Sequence, residues 1–144
     1  MHIILRFELE RSLVDGSLDV AGLPQAWRHT MQQYLGVVPS TDRDGVLQDV
    51  HWASGAIGYF PTYTLGNIYA AQLMRAAEGA VGPLDALAIA GDFTPLLDWL
   101  RQNVHRIGQQ LRPAALIARA TGAAPTPAPL LQHLERKIGF LEAV

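Results

Sequence analysis

The sequence predicts an all-α protein, and three observations predict it. Apolar residues recur at three- and four-residue steps along much of the 144-residue chain, the spacing that lines side chains along one helical face. Glycine and proline fall mainly between these runs, where they stop and start helices. Period-two alternation, the mark of a half-buried strand, is scarce. No internal repeat is evident, and the length fits one domain over residues 1–144.

Taken in order, Ile3, Ile4, Phe7 and Val14 with neighbouring leucines outline a first helix that Gly16 ends. No Ser, Thr, Asp or Asn precedes it, only Met1-His2. An uncapped start of this kind fits either a frayed natural beginning or a chain that begins inside a helix. A second helix begins at Pro24, a residue suited to the first helical position. It places Leu23, Trp27, Met31, Tyr34 and Leu35 on one face and closes at Gly36. Pro39 to Gly45 is turn-rich, and the run after it is irregular or briefly helical. Helix returns from about Pro61 to Glu78, with Leu65, Ile68, Tyr69, Gln72, Leu73 and Ala76 along one side, and Gly79 and Gly82 end it.

A short helix follows over Pro83 to Ala90. Thr94-Pro95 then supplies an N-cap and first position. Beyond it, Leu97, Leu100, Val104, Ile107 and Leu111 predict one packed helix face. Pro113 opens a further helix that Gly122 ends. The prolines of 123–129 hold that stretch as an extended loop. Leu131, Leu134, Ile138 and Leu141 mark a last amphipathic helix.

Composition excludes several classes. A net charge of −2 gives no reason to expect nucleic acid or an anionic membrane as partner. With no cysteine there is neither a disulfide framework nor a thiolate metal site, and the cytoplasm is the expected compartment. No basic segment leads into an apolar run at the start, and no apolar stretch reaches the ~20 residues of a membrane span. G-x-S-x-G, P-loop and Rossmann glycine patterns are all missing.

The densest chemistry lies in Gly45-Val46-Leu47-Gln48-Asp49-Val50-His51-Trp52. It resembles the G-x-x-Q-D-x-H-W motif of the Taq-type zinc carboxypeptidases, the thermostable carboxypeptidase 1 family. Gly58-Tyr59-Phe60-Pro61-Thr62-Tyr63-Thr64-Leu65-Gly66-Asn67 resembles the segment that comes next in that family, and His2-Ile3-Ile4-Leu5-Arg6-Phe7-Glu8-Leu9-Glu10 resembles its preceding helix. The likeness runs from His2 almost to the C-terminus. It implies a mostly helical, gluzincin-like (neurolysin-like) fold, of which this chain is the C-terminal helical region. It also implies zinc- or cobalt-dependent removal of C-terminal amino acids from peptides by a homodimer.

The family's metal site rests on H-E-x-x-H, two imidazoles one helical turn apart with a glutamate that activates water. None of the five histidines here is followed by Glu. The motif carrying the family's further zinc-ligating glutamate and the I-R-x-x-A-D motif are absent as well. The resemblance therefore implies a chain that begins inside a helix, just after the metal-binding segments. The resemblance further implies that such a chain alone holds no catalytic metal and has no peptidase activity.

Six residues are candidate cleft or substrate contacts: Gln48, Asp49, His51, Trp52, Tyr59 and Tyr63. Asp49 and His51 can orient one another in a site, or can lock their segment through backbone hydrogen bonds. Gln48 can bind a peptide backbone or satisfy loop carbonyls. Trp52 reads as a core anchor. Tyr59 and Tyr63 can donate to the oxyanion of a tetrahedral intermediate, or can pack with Phe60 and Trp52. Arg101, His105, Arg106 and Arg112 read as a solvated basic face, although an arginine fork also suits a substrate carboxylate. Besides the enzyme reading, a self-associating helical protein descended from the family fits the same sequence. So does a subunit completed by a separate N-terminal portion. Unpaired apolar faces along Ile3 to Val14 and Leu65 to Leu73 predict a dimer or higher oligomer.

Overall fold

A computed structural model describes residues 1–142. The described residues contain seven α-helices, one 3₁₀ turn and one π turn joined by turns and loops, with no strand among them. The chain divides into two compact units, Met1–Leu65 and a second beginning at Gly66.

The first unit is built on α1 (His2–Val14) and α2 (Leu23–Leu35), followed by a 3₁₀ turn at Val46–Gln48 and the opening of α3 (Phe60–Val81). Leu5 and Leu9, four apart on α1, meet Leu23 and Trp27, four apart on α2, with Val46 closing the cluster. Met31, Tyr34 and Trp52 pack round it. No side chain caps the start of α1. The stop of α2 is local: Gly36 takes a left-handed φ of 69° and returns its N–H to Gln32. Off the core, the Tyr34 hydroxyl donates to the Glu8 carboxylate and Arg28 pairs with Asp42.

The second unit contains the rest of α3, then α4 (Leu84–Ala90), α5 (Thr94–Leu100), a π turn at Arg101–His105, α6 (Pro113–Thr121) and α7 (Ala128–Glu142). Ala77, Ile107 and Ile117 are buried in it. Gln72, on the predicted face of α3, is buried and ties this helix to the loop after α6. Its amide donates to the Thr121 hydroxyl and to the Ala123 and Ala124 carbonyls at 3.0–3.1 Å, and its carbonyl accepts the Thr126 N–H at 3.0 Å. A proline-rich loop short of partners of its own is satisfied by one side chain.

Four expectations need correction. The face from Leu97 to Leu111 is not one packed helix. The π turn, with the Arg106 N–H reaching the Arg101 carbonyl at 3.0 Å, adds a residue to that turn and rotates the residues beyond it. Leu97 is exposed and only Ile107 of the five is buried. Thr94 is the first helical residue rather than the cap, and the Asp92 carboxylate accepts its N–H at 2.9 Å. The loop after Gly122 ends two residues early, since α7 already includes Ala128 and Pro129. Finally, Gly79 does not stop α3, which runs on to Val81; the second expected stop, Gly82, with a φ of 91°, ends it. No described helix is long and apolar enough to cross a membrane.

Candidate functional site

All six candidate residues fall in the first unit: Gln48 ends the 3₁₀ turn, Asp49, His51, Trp52 and Tyr59 lie between it and α3, and Tyr63 is in the first turn of α3. Gly45 opens this stretch because the chain doubles back on itself there. A Cβ at Gly45 would lie 3.1 Å from Pro39 Cβ and 3.2 Å from the Thr41 carbonyl. Its φ is −112°, so close approach, not handedness, favours glycine. The Gln48 side chain turns back to donate to the Arg43 carbonyl at 2.6 Å, holding the same loop.

Asp49 points inward, its side chain only 3% exposed. One oxygen, Oδ1, accepts the His51 backbone N–H at 2.9 Å and lies 2.7 Å from His51 Nδ1. The other, Oδ2, accepts from Arg6 Nε on α1. Burial alone would push the Asp49 carboxyl up. The His51 N–H, the Arg6 guanidinium and the His51 ring outweigh it and hold the group below the usual carboxylate range. Asp49 is thus an anion with both oxygens engaged.

An ionised Asp49 makes Nδ1 the donor on His51. The far nitrogen, Nε2, lies 3.0 Å from the Tyr63 hydroxyl. The ring is walled by aromatics: Tyr59 stacks on it at 5.8 Å and 25°, Phe60 tilts against it at 5.0 Å, and Tyr63 meets it edge-on at 5.9 Å. Phe60 is 1% exposed and fixes the ring from the core side. Tyr59 and Tyr63 are both exposed, 5.2 Å apart and perpendicular. The Tyr59 hydroxyl has no hydrogen-bond partner among the described residues. An open cavity of about 370 Å³ lies beside this row, lined by Ile3 and Arg6 of α1 together with Asp49, His51, Phe60 and Tyr63.

Trp52 belongs to the support. It meets Trp27 and Phe60 edge-to-face at 6.2 and 5.8 Å, and its indole N–H donates to Glu10 at 2.9 Å. Glu10, 5% exposed, also accepts the Gly58 N–H at 2.8 Å. Arg6 and Glu10 are the residues that sequence reasoning passed over. The signal was available: His2, Arg6 and Glu10 recur at four-residue steps beside the apolar stripe of Leu5 and Leu9, a polar row too close to the core to be merely solvated. The basic stretch belongs to the second unit, with Arg101, His105, Arg106 and Arg112 all exposed and Arg101 paired to Asp98 at 3.0 Å.

The arrangement is a charge-anchored row, Arg6–Asp49–His51–Tyr63, ending in the Tyr63 hydroxyl at an open cavity, with the exposed Tyr59 ring against His51. It can donate hydrogen bonds to an oxygen anion and stack a flat or apolar group. Among the described residues no group of three or more His, Asp or Glu side chains is placed to hold a metal ion.

Comparison with known proteins adds a family context. The profile of the carboxypeptidase Taq (M32) metallopeptidases matches residues 1–138. The chain is 49% identical over 141 residues to thermostable carboxypeptidase 1 of Thermus thermophilus, covering 98% of this chain and 28% of that protein. It is 42% identical over 141 residues to carboxypeptidase 1 of Bacillus subtilis, again covering 98% of this chain and 28% of the relative. The crystal structure of an M32 carboxypeptidase from Deinococcus radiodurans superposes with a TM-score of 0.94 at 47% identity, over 99% of this chain and 29% of that one. The chain thus spans somewhat over a quarter of the length of the relatives it matches.

Proposed function

Because this chain belongs to the carboxypeptidase Taq (M32) metallopeptidase family, we propose that it forms one wall of a peptide-binding cleft in an enzyme that releases C-terminal amino acids from peptides. It corresponds to the C-terminal portion that its motif order implies. The observation that carries this reading is the hydrogen-bonded row from Asp49 through His51 to Tyr63, opening on the cavity beside α1.

In that role the residues divide the work. Asp49 fixes the His51 ring, and Phe60 backs it. Tyr59, whose hydroxyl has no partner among the described residues, donates to the oxygen that gains negative charge when water attacks the scissile carbonyl. Tyr63 does the same when its proton is not held by His51. Gln48 lines the cavity beside Asp49, and Trp52 shapes the wall from behind. The metal, zinc or cobalt in the full-length family, would polarise the carbonyl and activate water. The described residues do not fit it: both nitrogens of His51 are engaged, and no three ligand side chains converge. The sequence carries no H-E-x-x-H, and on this reading the chain alone hydrolyses nothing. The setting is cytoplasmic, with peptide as substrate.

Two experiments test this. Pure chain incubated with zinc or cobalt and a blocked dipeptide releases no C-terminal residue above a metal-free control; release would sink the inactive-alone reading. A chimera carrying these residues in place of the matching stretch of the Thermus thermophilus relative retains peptidase activity. In it, joint Tyr59→Phe and Tyr63→Phe lowers kcat by roughly 10²–10³ with little change in KM. An unchanged kcat/KM removes the oxyanion role.

A second reading rests on a different observation. Leu131, Leu134, Ile138 and Leu141 of α7 form an exposed stripe at three-four-three spacing, and Ile4, Phe7 and Val14 of α1 are exposed too. Such faces favour association. The chain then acts as a self-associating helical protein, a homodimer or larger, or docks on a separately made N-terminal portion of the enzyme.

A further inference from the structure

We propose that Arg6 is a positioning residue that fixes the tautomer of His51 and thereby decides which way the Tyr63 hydroxyl donates. The groups facing His51 are Asp49 from its own segment, Arg6 and His2 from α1 across the cavity, and Tyr59 and Tyr63 from the start of α3. Of these, Arg6 is the cation that touches Asp49. It cannot swing freely: Nη1 donates to the His2 carbonyl at 3.0 Å, and the guanidinium lies 4.8 Å over the Trp27 ring.

The physical basis is hydrogen-bond supply. A carboxyl as enclosed as Asp49 stays ionised only with compensating charge and donors. Were it protonated, its own O–H could donate to Nδ1, and His51 would carry its proton on Nε2, the form that free histidine favours. With Arg6 on Oδ2, Oδ1 remains an acceptor, so Nδ1–H is the tautomer and Nε2 is bare. A bare Nε2 must take the Tyr63 proton at 3.0 Å, which leaves that phenol without a donor for anything else. When His51 gains a proton from solvent, Nε2–H donates to the phenol oxygen and the Tyr63 O–H turns free toward the cavity. Arg6, some distance behind, therefore sets the default state of the hydroxyl. The bearing on catalysis rests on the reading of His51 and Tyr63 as substrate contacts; the tautomer does not.

The test is a long-range proton–nitrogen NMR spectrum of the ¹⁵N-labelled 144-residue chain, with the His51 signals assigned by their loss in His51→Gln. In the neutral form His51 shows a protonated Nδ1 and an unprotonated Nε2. Arg6→Gln loses that pattern for a mixture with Nε2–H, and Arg6→Lys restores part of it by returning the charge without the fork. Tyr63→Phe, which leaves Arg6 and Asp49 in place, keeps Nδ1–H. An Nε2–H tautomer in the unaltered chain overturns the proposal. So does an unchanged tautomer in an Arg6→Gln chain with native circular dichroism and tryptophan emission. A switch in Tyr63→Phe also overturns it, because Tyr63 would then be the determinant; this arm stands even where Arg6→Gln does not fold. Failure of the substrate-contact reading would appear separately, as unaltered kinetics in the tyrosine-substituted chimera with the ring pattern intact.

Discussion

Glu10 and Trp52 are joined by a hydrogen bond of 2.9 Å from the indole N–H to a buried carboxylate oxygen, across 42 positions of sequence. The same carboxylate takes the Gly58 N–H at 2.8 Å on its other oxygen. One side chain of α1 thus holds both ends of the segment that leads to Tyr59 and into α3. Glu10→Ala leaves two N–H donors without their acceptor, at about 1–3 kcal/mol each. We expect a loss of roughly 2–6 kcal/mol of unfolding free energy in urea, with a shifted Trp52 emission. A change below ~0.5 kcal/mol would mean that water replaces the carboxylate without strain.

Asp49 makes the first unit sensitive to acid. Its folded carboxyl lies below the ordinary value, so its contribution is present at pH above about 4, where the unfolded group is ionised, and is lost as pH falls through the folded value. Urea midpoints taken from about pH 6 down to about pH 2 should therefore fall more steeply for the native chain than for Asp49→Asn. Parallel curves would show that the Arg6 and His51 partners do not favour the anion.

The apolar stripe on α7 predicts association. Leu134 and Ile138 are both exposed on it. Multi-angle light scattering should give a dimer or larger for the native chain, and Leu134→Lys with Ile138→Lys should lower the mass toward one chain. A monodisperse native monomer would remove the self-association reading.

Much of this protein was legible without coordinates. Helix periodicity and the glycine stops at Gly36, Gly91 and Gly122 placed most elements, because each depends on residues within a turn or two of one another. The stretch from Gly45 to Trp52 announced the family through the identity and order of its side chains. Elsewhere local reasoning misled. A leucine–valine spacing that reads as one helix face on 97–111 is broken by a π turn, which depends on hydrogen bonding rather than on residue type.

The sequence by itself determined the all-α class, the family and the residues from which a site is made, since all three arise from short-range pattern. Only the tertiary structure decided what those residues do to one another. Asp49 meets Arg6 across 43 positions, Glu10 meets Gly58 across 48, and Gln72 meets Thr126 across 54. Such pairs are brought together when the apolar faces of the helices in each unit are buried, a non-local free energy that no spacing along the chain expresses. The polar row on α1 becomes the anchor of His51 only once that packing has closed around it.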